Sequence, residues 1–450
     1  MTHKFIHPVE TRYRTEIAEL FTEDKKLENW MLVEAVLAKV HAKMGTIPQE
    51  AAEEIDQARK RVKVERVKEI DREIHHDLMA MVKGLAEKCE GEAGKYIHLG
   101  ATSYDIEDTA TALQLREALN HIKKSLMSLL AEIIKVMQDT KELVCIGRTH
   151  GQQAIPTTYG MRYGVWGNEI DRHLDRLSET VDRISYGKMS GAVGTMASFG
   201  EKGIEIQREV MKELDLNPEL IANQIVQRDR HAEVVLLTAM IGQTLAKIAR
   251  EFRILQRNEI GEMFEPFKKK QVGSSTMPHK RNPHKSERIC SLARILKSNG
   301  IVALDNMVLE DERDLTNSAS ERVIFAENFI FLDFMISQLT QNVSGVEFNR
   351  ERIEENLNFT KGACLAEKLM VKLVDKGIGR QEGHEILRQA AIQARAEDKF
   401  MKEILLQNEK INKKFTEKEL EEILDPHKYI GKAVEQVDNL IEYLKNKYEL

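Results

Sequence analysis

Cysteine is scarce in this chain of 450 residues: Cys89, Cys145, Cys290 and Cys364 are the four, and none stands in a Cys-x-x-Cys pair. Neither a disulfide framework nor a cysteine-built zinc site is suggested, and the usage fits a reducing compartment, so a cytoplasmic location is expected. Proline is scarcer than in most chains of this length, at eight, with none between Pro48 and Pro156 or between Pro283 and Pro426. Because proline breaks interior helix hydrogen bonds, those gaps leave room for long helices. The first residues, MTHKFIHPVETRYRTEIAELF, lack the apolar core of a signal peptide. No run is expected to reach the roughly 18 to 20 apolar residues of a membrane span, so no membrane partner is expected. Lys and Arg number 67 against 73 Asp and Glu, a net charge of -6 spread along the chain. A nucleic-acid binder with a basic face and a disordered polyanion are both excluded by that balance.

What is abundant is the material of amphipathic helices. Charged residues make up 31 % and aromatics 6 %, a lean toward Lys, Glu, Leu and Ala that predicts an all-α protein. Leu115, Leu119, Ile122, Leu126, Leu129, Ile133 and Val136 recur at alternating spacings of four and three, the stripe of a long helix packed along others. Val234, Leu237, Ile241, Leu245, Ile248, Phe252 and Leu255 form a second stripe. Trp30, Val33, Leu37, Val40 and Met44 form a shorter one, with Gly45 placed to close its helix. No stretch reads as alternating strand, and no internal repeat is evident. Two breaks in the pattern, GEAGKYIHLGATS ending at Ser103 and SGVEFNRERIEENL around Ser344 to Leu357, divide the chain into three parts. They are an N-terminal helical domain (1–103), a central long-helix bundle (104–356) and a C-terminal helical domain (357–450).

Five clusters interrupt the helical monotony. The stretch 261–287, GEMFEPFKKKQVGSSTMPHKRNPHKSE, holds three of the eight prolines and a Gly-Ser-Ser triplet. Gly273, Ser274 and Ser275 offer closely spaced N–H groups and hydroxyls beside Lys280, Arg281 and Lys285, which suits a carboxylate or a developing oxyanion. The same composition also serves a solvated hinge. In CIGRTHGQQAIPTTYG, His150 lies between Thr149 and Gly151 in what reads as a loop after a helix, free to act as acid or base or simply exposed. His75, His76 and Asp77 fall in a segment whose core face is Ile74, Leu78, Met81 and Leu85. A His-Asp pair also occurs in metal-dependent phosphohydrolases, but no further ligands stand at metal spacing. Arg313 to Arg322, RDLTNSASER, sets Ser318 and Arg322 four apart on one face if helical, making either a phosphate clamp or an exposed salt-bridged helix. Gln224 to Glu233, QIVQRDRHAE, is as polar and as open to both readings.

Taken together these segments resemble one family. Gly273-Ser-Ser-Thr-Met-Pro-His-Lys-Arg-Asn-Pro283 is similar to the signature loop of the fumarase/aspartase superfamily, and within it the chain resembles the adenylosuccinate lyases. The further matches are collinear: Arg12-Tyr13, His76-Asp77, His98 through Thr102-Ser103, GRTHGQQAIPTTYG, SGAVGT from Ser190, QRDRHAE from Gln227 and ERDLTNSASER from Glu312. They span Arg12 to Arg322. One departure is His75, where many relatives carry arginine before the His-Asp pair.

The resemblance implies β-elimination of fumarate from adenylosuccinate, giving AMP, and from the succinylated aminoimidazole carboxamide ribonucleotide, in purine biosynthesis. It implies His150 as general acid and Ser274 as general base. Thr102, Ser103, Ser275, Met277, Lys280 and Asn282 would hold the succinyl carboxylates. Arg12, Tyr13, Arg313, Ser318 and Arg322 would hold the phosphate and its surroundings, with His76, Asp77 and Gln224 completing the pocket. No metal and no organic cofactor would be required, and the expected assembly is a homotetramer with active sites shared between chains. Argininosuccinate lyase and carboxymuconate cycloisomerase are the rivals within the superfamily, and a metal-dependent phosphohydrolase or a catalytically silent helical scaffold the rivals outside it.

Overall fold

The structure, a computed structural model, describes residues 7–267 and 270–450. It is all-α in class, with 68 % of the chain helical. The stripes read from the sequence are core. All seven residues from Leu115 to Val136 are buried, on a single helix running Ser103–Thr140. The seven from Val234 to Leu255 are buried on the helix Asp229–Leu255. Trp30, Val33, Leu37 and Val40 are buried on Glu23–Lys43. Gly45, at φ 74°, ends that helix: its N–H bonds to the Ala42 carbonyl, and the Thr46 N–H reaches back to His41. This is the paired closure that a left-handed residue allows after a helix.

The chain forms two compact units. One comprises Met1–Leu126, His173–Leu245 and Cys290–Ser337; the other comprises Met127–Arg172, Ala246–Ile289 and Gln338–Leu450. In the first, Leu27, Trp30, Val33 and Leu37 pack with Leu78, Met81, Leu85, Ile106 and Val210 into one apolar cluster. In the second, Leu369, Leu373, Leu387, Leu405, Ile411 and Leu420 form a cluster among the C-terminal helices. Of the two limits read from the sequence, Ser103 is the first residue of the helix Ser103–Thr140, and Asn356 lies within the helix Arg350–Asn358.

Two expectations need correcting, and the His75 segment divides in two. Strands do occur: among the described residues there are three two-stranded sheets, and the largest pairs Val144–Thr149 with Gln152–Thr158 in antiparallel register. The segment around His75 is two helices, Val64–Ile74 and Asp77–Ala86, because His75 takes a left-handed conformation at φ 54° and turns the chain. Two helices, Asp229–Leu255 and Thr316–Ser344, are long and apolar enough by composition to cross a membrane, with 67 % and 61 % of their apolar windows buried inside the protein. Polar side chains placed along these helices satisfy one another: Asn328 donates to the Thr238 hydroxyl at 2.8 Å, with both residues fully buried.

Leu119, fully buried in the Ser103–Thr140 stripe, sets the scale of that packing. Leu119→Ala is expected to cost about 2 to 5 kcal/mol in denaturant unfolding, whereas Lys135→Ala on the exposed side stays within about 0.5 kcal/mol.

Candidate active site

Nine of the residues singled out from the sequence line one cavity in the first unit: His75, His76, Asp77, Thr102, Ser103, Gln224, Arg313, Ser318 and Arg322, around about 630 Å³. Each is placed by a local feature. His76 is the N-cap of the helix Asp77–Ala86, its Nδ1 accepting from the Met79 N–H at 3.4 Å. Asp77, in the first turn, accepts from Arg322 at 2.9 Å. Ser103 opens the long helix, and the preceding Thr102 N–H donates to Asp105 Oδ2 at 2.8 Å. The helix Thr316–Ser344 puts Ser318 and Arg322 one turn apart on the same face.

Tyr104, which the sequence reading passed over, organises the cationic end. The Arg313 guanidinium stacks 3.5 Å over its ring, and its hydroxyl donates to Ser318 Oγ at 3.2 Å. Arg313 Nη1 donates to Gln224 at 3.1 Å. Its Nε is buried and makes no hydrogen bond among the described residues. A guanidinium fixed by stacking, with no carboxylate paired to it among the described residues, is a prepared partner for an anion. Tyr104 was readable in one respect, as an aromatic directly after the Thr102-Ser103 pair.

Arg12 and Tyr13 are not among the residues lining this cavity. Tyr13 packs edge-on against Phe331 and Phe334, with centroids 5.6 and 5.1 Å away. Nor does the QIVQRDRHAE segment line it beyond Gln224. Arg228 makes a two-pronged, buried ion pair with Asp108 at 2.8 and 3.0 Å, and His231 is buried beside it. Burial, with the Arg228 charge next to it, pushes the His231 imidazole down to about 3. His98 stands apart as well, its Nδ1 2.7 Å from the buried Glu34. Burial alone lowers such an imidazole, but the hydrogen bond and charge of Glu34 outweigh it and raise its pKa.

The second unit carries the other group. Thr149 pairs with Gln152, so His150 and Gly151 are the two turn residues of a hairpin, at φ 54° and 74°. Positive φ at both positions is what the tightest hairpin turn requires, and the strand twist then matches. His150 is exposed at the tip. The Glu262 carboxylate, fully buried below, accepts from Arg148 Nη2 at 2.5 Å and from Tyr159 at 2.5 Å. The stretch 261–287 is not irregular throughout: Met263–Phe264 forms a strand, and a helix begins at His284. Its ends are tied by Glu265, which accepts the Ser286 N–H at 2.6 Å. Within it, Asn282 donates to the Gly273 carbonyl at 2.9 Å. A side chain at Gly273 would lie 2.0 Å from the Lys280 carbonyl, so the loop closes only on glycine there. Ser274 Oγ accepts the N–H groups of Thr276 and Met277 at 3.3 and 3.1 Å. Two N–H dipoles aimed at one hydroxyl oxygen favour its deprotonated form. Ser275, Met277 and Lys280 belong to the same loop, and Met277 is exposed.

Residues 9–295 match the lyase family, and residues 362–440 match the adenylosuccinate lyase C-terminus. The chain belongs to the adenylosuccinate lyase family. It is 51 % identical to the adenylosuccinate lyase of Methanocaldococcus jannaschii over 98 % of this chain and 96 % of that one. It is 52 % identical to that of Pyrococcus abyssi over 98 % of both. Among solved structures it is similar to a 3-carboxy-cis,cis-muconate lactonizing enzyme from Pseudomonas putida, at TM-score 0.89 and 28 % identity over 98 % of this chain and 99 % of that one. A fumarate lyase from Mesorhizobium gives TM-score 0.88 and 31 % identity over 95 % and 97 %. The superfamily fold is thus shared with a muconate enzyme, while the far higher identity lies with adenylosuccinate lyases.

The buried His231 makes the first unit acid-sensitive. Its folded pKa lies below the ordinary histidine value, so on acidification the unfolded chain binds a proton that the native state refuses, and stability falls as pH falls. Between pH 7 and pH 5 this costs about 2 kcal/mol. His231→Gln is expected to flatten the unfolding free energy over that interval by about this amount; equal slopes for both proteins would show a charged native His231.

Proposed function

We propose that this lyase eliminates fumarate from adenylosuccinate, leaving AMP, and from the succinylated aminoimidazole carboxamide ribonucleotide, leaving the free carboxamide ribonucleotide. The observation that carries the substrate class is the cationic end of the first unit's cavity. Stacked Arg313, Arg322 and the Ser318 hydroxyl converge there. Guanidinium forks and a hydroxyl are the donors a phosphate takes.

The chemistry assigns the remaining roles. Ser274 removes a proton from the succinyl carbon beside a carboxylate, and the electron pair delocalises into that carboxylate. Lys280, Asn282, Ser275 and the loop N–H groups meet the charge as it grows, which is where stabilisation accelerates the step. The pair then returns to form the carbon–carbon double bond of fumarate as the carbon–nitrogen bond breaks. His150 gives a proton to the departing nitrogen. A free serine is a poor base, and the two N–H groups on Ser274 Oγ support its assignment over Ser275. Thr102 and Ser103 hold a substrate carboxylate at the start of the long helix, where its N-terminal N–H groups favour an anion. His76, Asp77 and Gln224 border the nucleotide, and Arg12 and Tyr13 serve its phosphate end. We further propose a cytoplasmic homotetramer in which the segments bearing His150, Ser274 and Arg313 come from different chains.

His150→Ala and Ser274→Ala should each lower turnover by about 10² to 10⁴ or more with the fold retained, Ser275→Ala by much less. Mixed under conditions of subunit exchange, the two inactive proteins should recover part of the activity. No recovery despite demonstrated exchange would count against the shared site.

Arg322→Ala should weaken adenylosuccinate binding about ten- to a hundredfold, since a charge-assisted contact is worth about 1.5 to 3 kcal/mol. Its effect on succinyladenosine, which lacks the phosphate, should be slight. Equal losses on both substrates would remove the phosphate assignment.

A further inference from the structure

Two cavities of the first unit share a wall. Beside the one already described lies a smaller one of about 190 Å³, bordered by Phe21, Lys26, Trp30, Gln114 and Phe325. Tyr104, Glu107, Ser318 and Arg322 line both. Three of these four are engaged: Tyr104 with Ser318, and Arg322 with Asp77. The carboxyl group of Glu107 has no hydrogen-bond partner among the described residues. It is partly buried and stands one helical turn beyond Ser103, so it faces the same cavity.

The charges around Glu107 come from every neighbouring element. Its own helix supplies Asp108 and Tyr104, the helix Asp77–Ala86 supplies Asp77, and the helix Thr316–Ser344 supplies Arg322 and Glu321. Arg313 precedes that last helix, and Glu23 and Lys26 lie across the smaller cavity. Arg322 is already committed to Asp77 at 2.9 Å. Burial first, and then the charge of Asp77, push the Glu107 carboxyl up to about 8, so it keeps its proton at neutral pH. A protonated carboxyl donates a hydrogen bond; a carboxylate only accepts.

We propose that Glu107 is a further specificity-determining residue of this site, donating its carboxylic O–H to a phosphate oxygen of the nucleotide beside Arg313 and Arg322. The inference rests on the reading of this end of the cavity as the phosphate holder. A neutral acid adds a donor to the dianion without bringing a third cation into a cavity that already contains Asp77. Once ionised, the same side chain repels the phosphate. Binding of the dianion therefore strengthens Glu107's hold on its proton, and above pH 8 the site takes up a proton from solvent as the nucleotide binds.

Titration calorimetry with AMP, in buffers of different ionisation enthalpy, reads that uptake directly. The phosphate's own second ionisation, near pH 6, is complete in this range. The wild type is expected to take up well over half a proton per site at pH 8.5 and little at pH 7, and KM for adenylosuccinate should rise about tenfold between pH 7 and pH 9, as the binding-competent fraction falls. Glu107→Gln keeps a neutral donor at every pH, so its uptake should vanish and its KM stay flat. Glu107→Leu should bind AMP more weakly already at pH 7, again without pH dependence, with thermal unfolding monitored for both variants. If AMP outbinds adenosine yet Glu107→Gln takes up as many protons as the wild type, the role of Glu107 is overturned and the phosphate reading stands. If adenosine binds as well as AMP, the phosphate reading itself fails.

Discussion

A carboxylate sealed from water must be held by whatever surrounds it, and in the first unit that carboxylate is Asp105. It is fully buried, as is its ion-pair partner Lys188 at 2.5 Å. It also accepts the N–H groups of Ser190 at 2.8 Å and Thr102 at 2.8 Å. Two segments far apart in sequence are thereby fastened at one atom group: the Thr102-Ser103 entry to the long helix, and the stretch that runs from Lys188 into the SGAVGT turn. Removing the charge would strand Lys188 without a counter-ion, which costs more than the pair itself contributes. Tyr104 is the next residue along, so its ring, and with it the stacked Arg313, inherits its position from this anchor.

Glu262 does the same work in the second unit. Arg148 and Tyr159 flank the hairpin that carries His150, and both end on this one buried carboxylate, joined by Asn356 at 2.8 Å. Glu262 also stands at the entry to the loop that carries Ser274. A proposed acid and a proposed base, each on an irregular segment, thus hang from fixed points rather than from each other. Positioning of this kind matters because misplacement by about 1 Å can cost a hundredfold in rate.

Long helices were legible because burial writes itself at every third and fourth residue over many turns, as from Leu115 to Val136. The His150 hairpin was not, because its turn is a His-Gly pair and its strands, VCIGRT and QQAIPTT, carry too few alternating apolar residues to oppose a loop reading. A positive φ at His150 is a property of the fold, not of its side chain. The same holds for His75, where a left-handed residue separates two helices. Residue types with obvious chemistry were singled out by spacing and resemblance, and nine of them line one cavity, whereas Tyr104 and Glu107, which line it too, were passed over because aromatic and acidic residues are commonplace in a helix. QRDRHAE, equally open to both readings, divides its charges: Arg228 is turned inward onto Asp108 and serves packing, while Arg230 pairs with Glu219 and Glu233 with Arg183.

The two arginines of the cavity are prepared differently, and the difference bears on how a ligand is chosen. Arg313 is stacked over Tyr104 and tethered to Gln224 with no carboxylate paired to it among the described residues, so an anion reaching it competes with no other charge. Arg322 is half-exposed and already paired with Asp77. An anion that takes Arg322 must compete with a carboxylate, and a monoanion gains little from that exchange. A dianion able to accept from Arg322 while also satisfying Arg313 and Ser318 gains contacts that Asp77 cannot supply. Discrimination then comes from the contest with Asp77 as much as from the attraction of the guanidinium groups, since specificity is a difference between affinities.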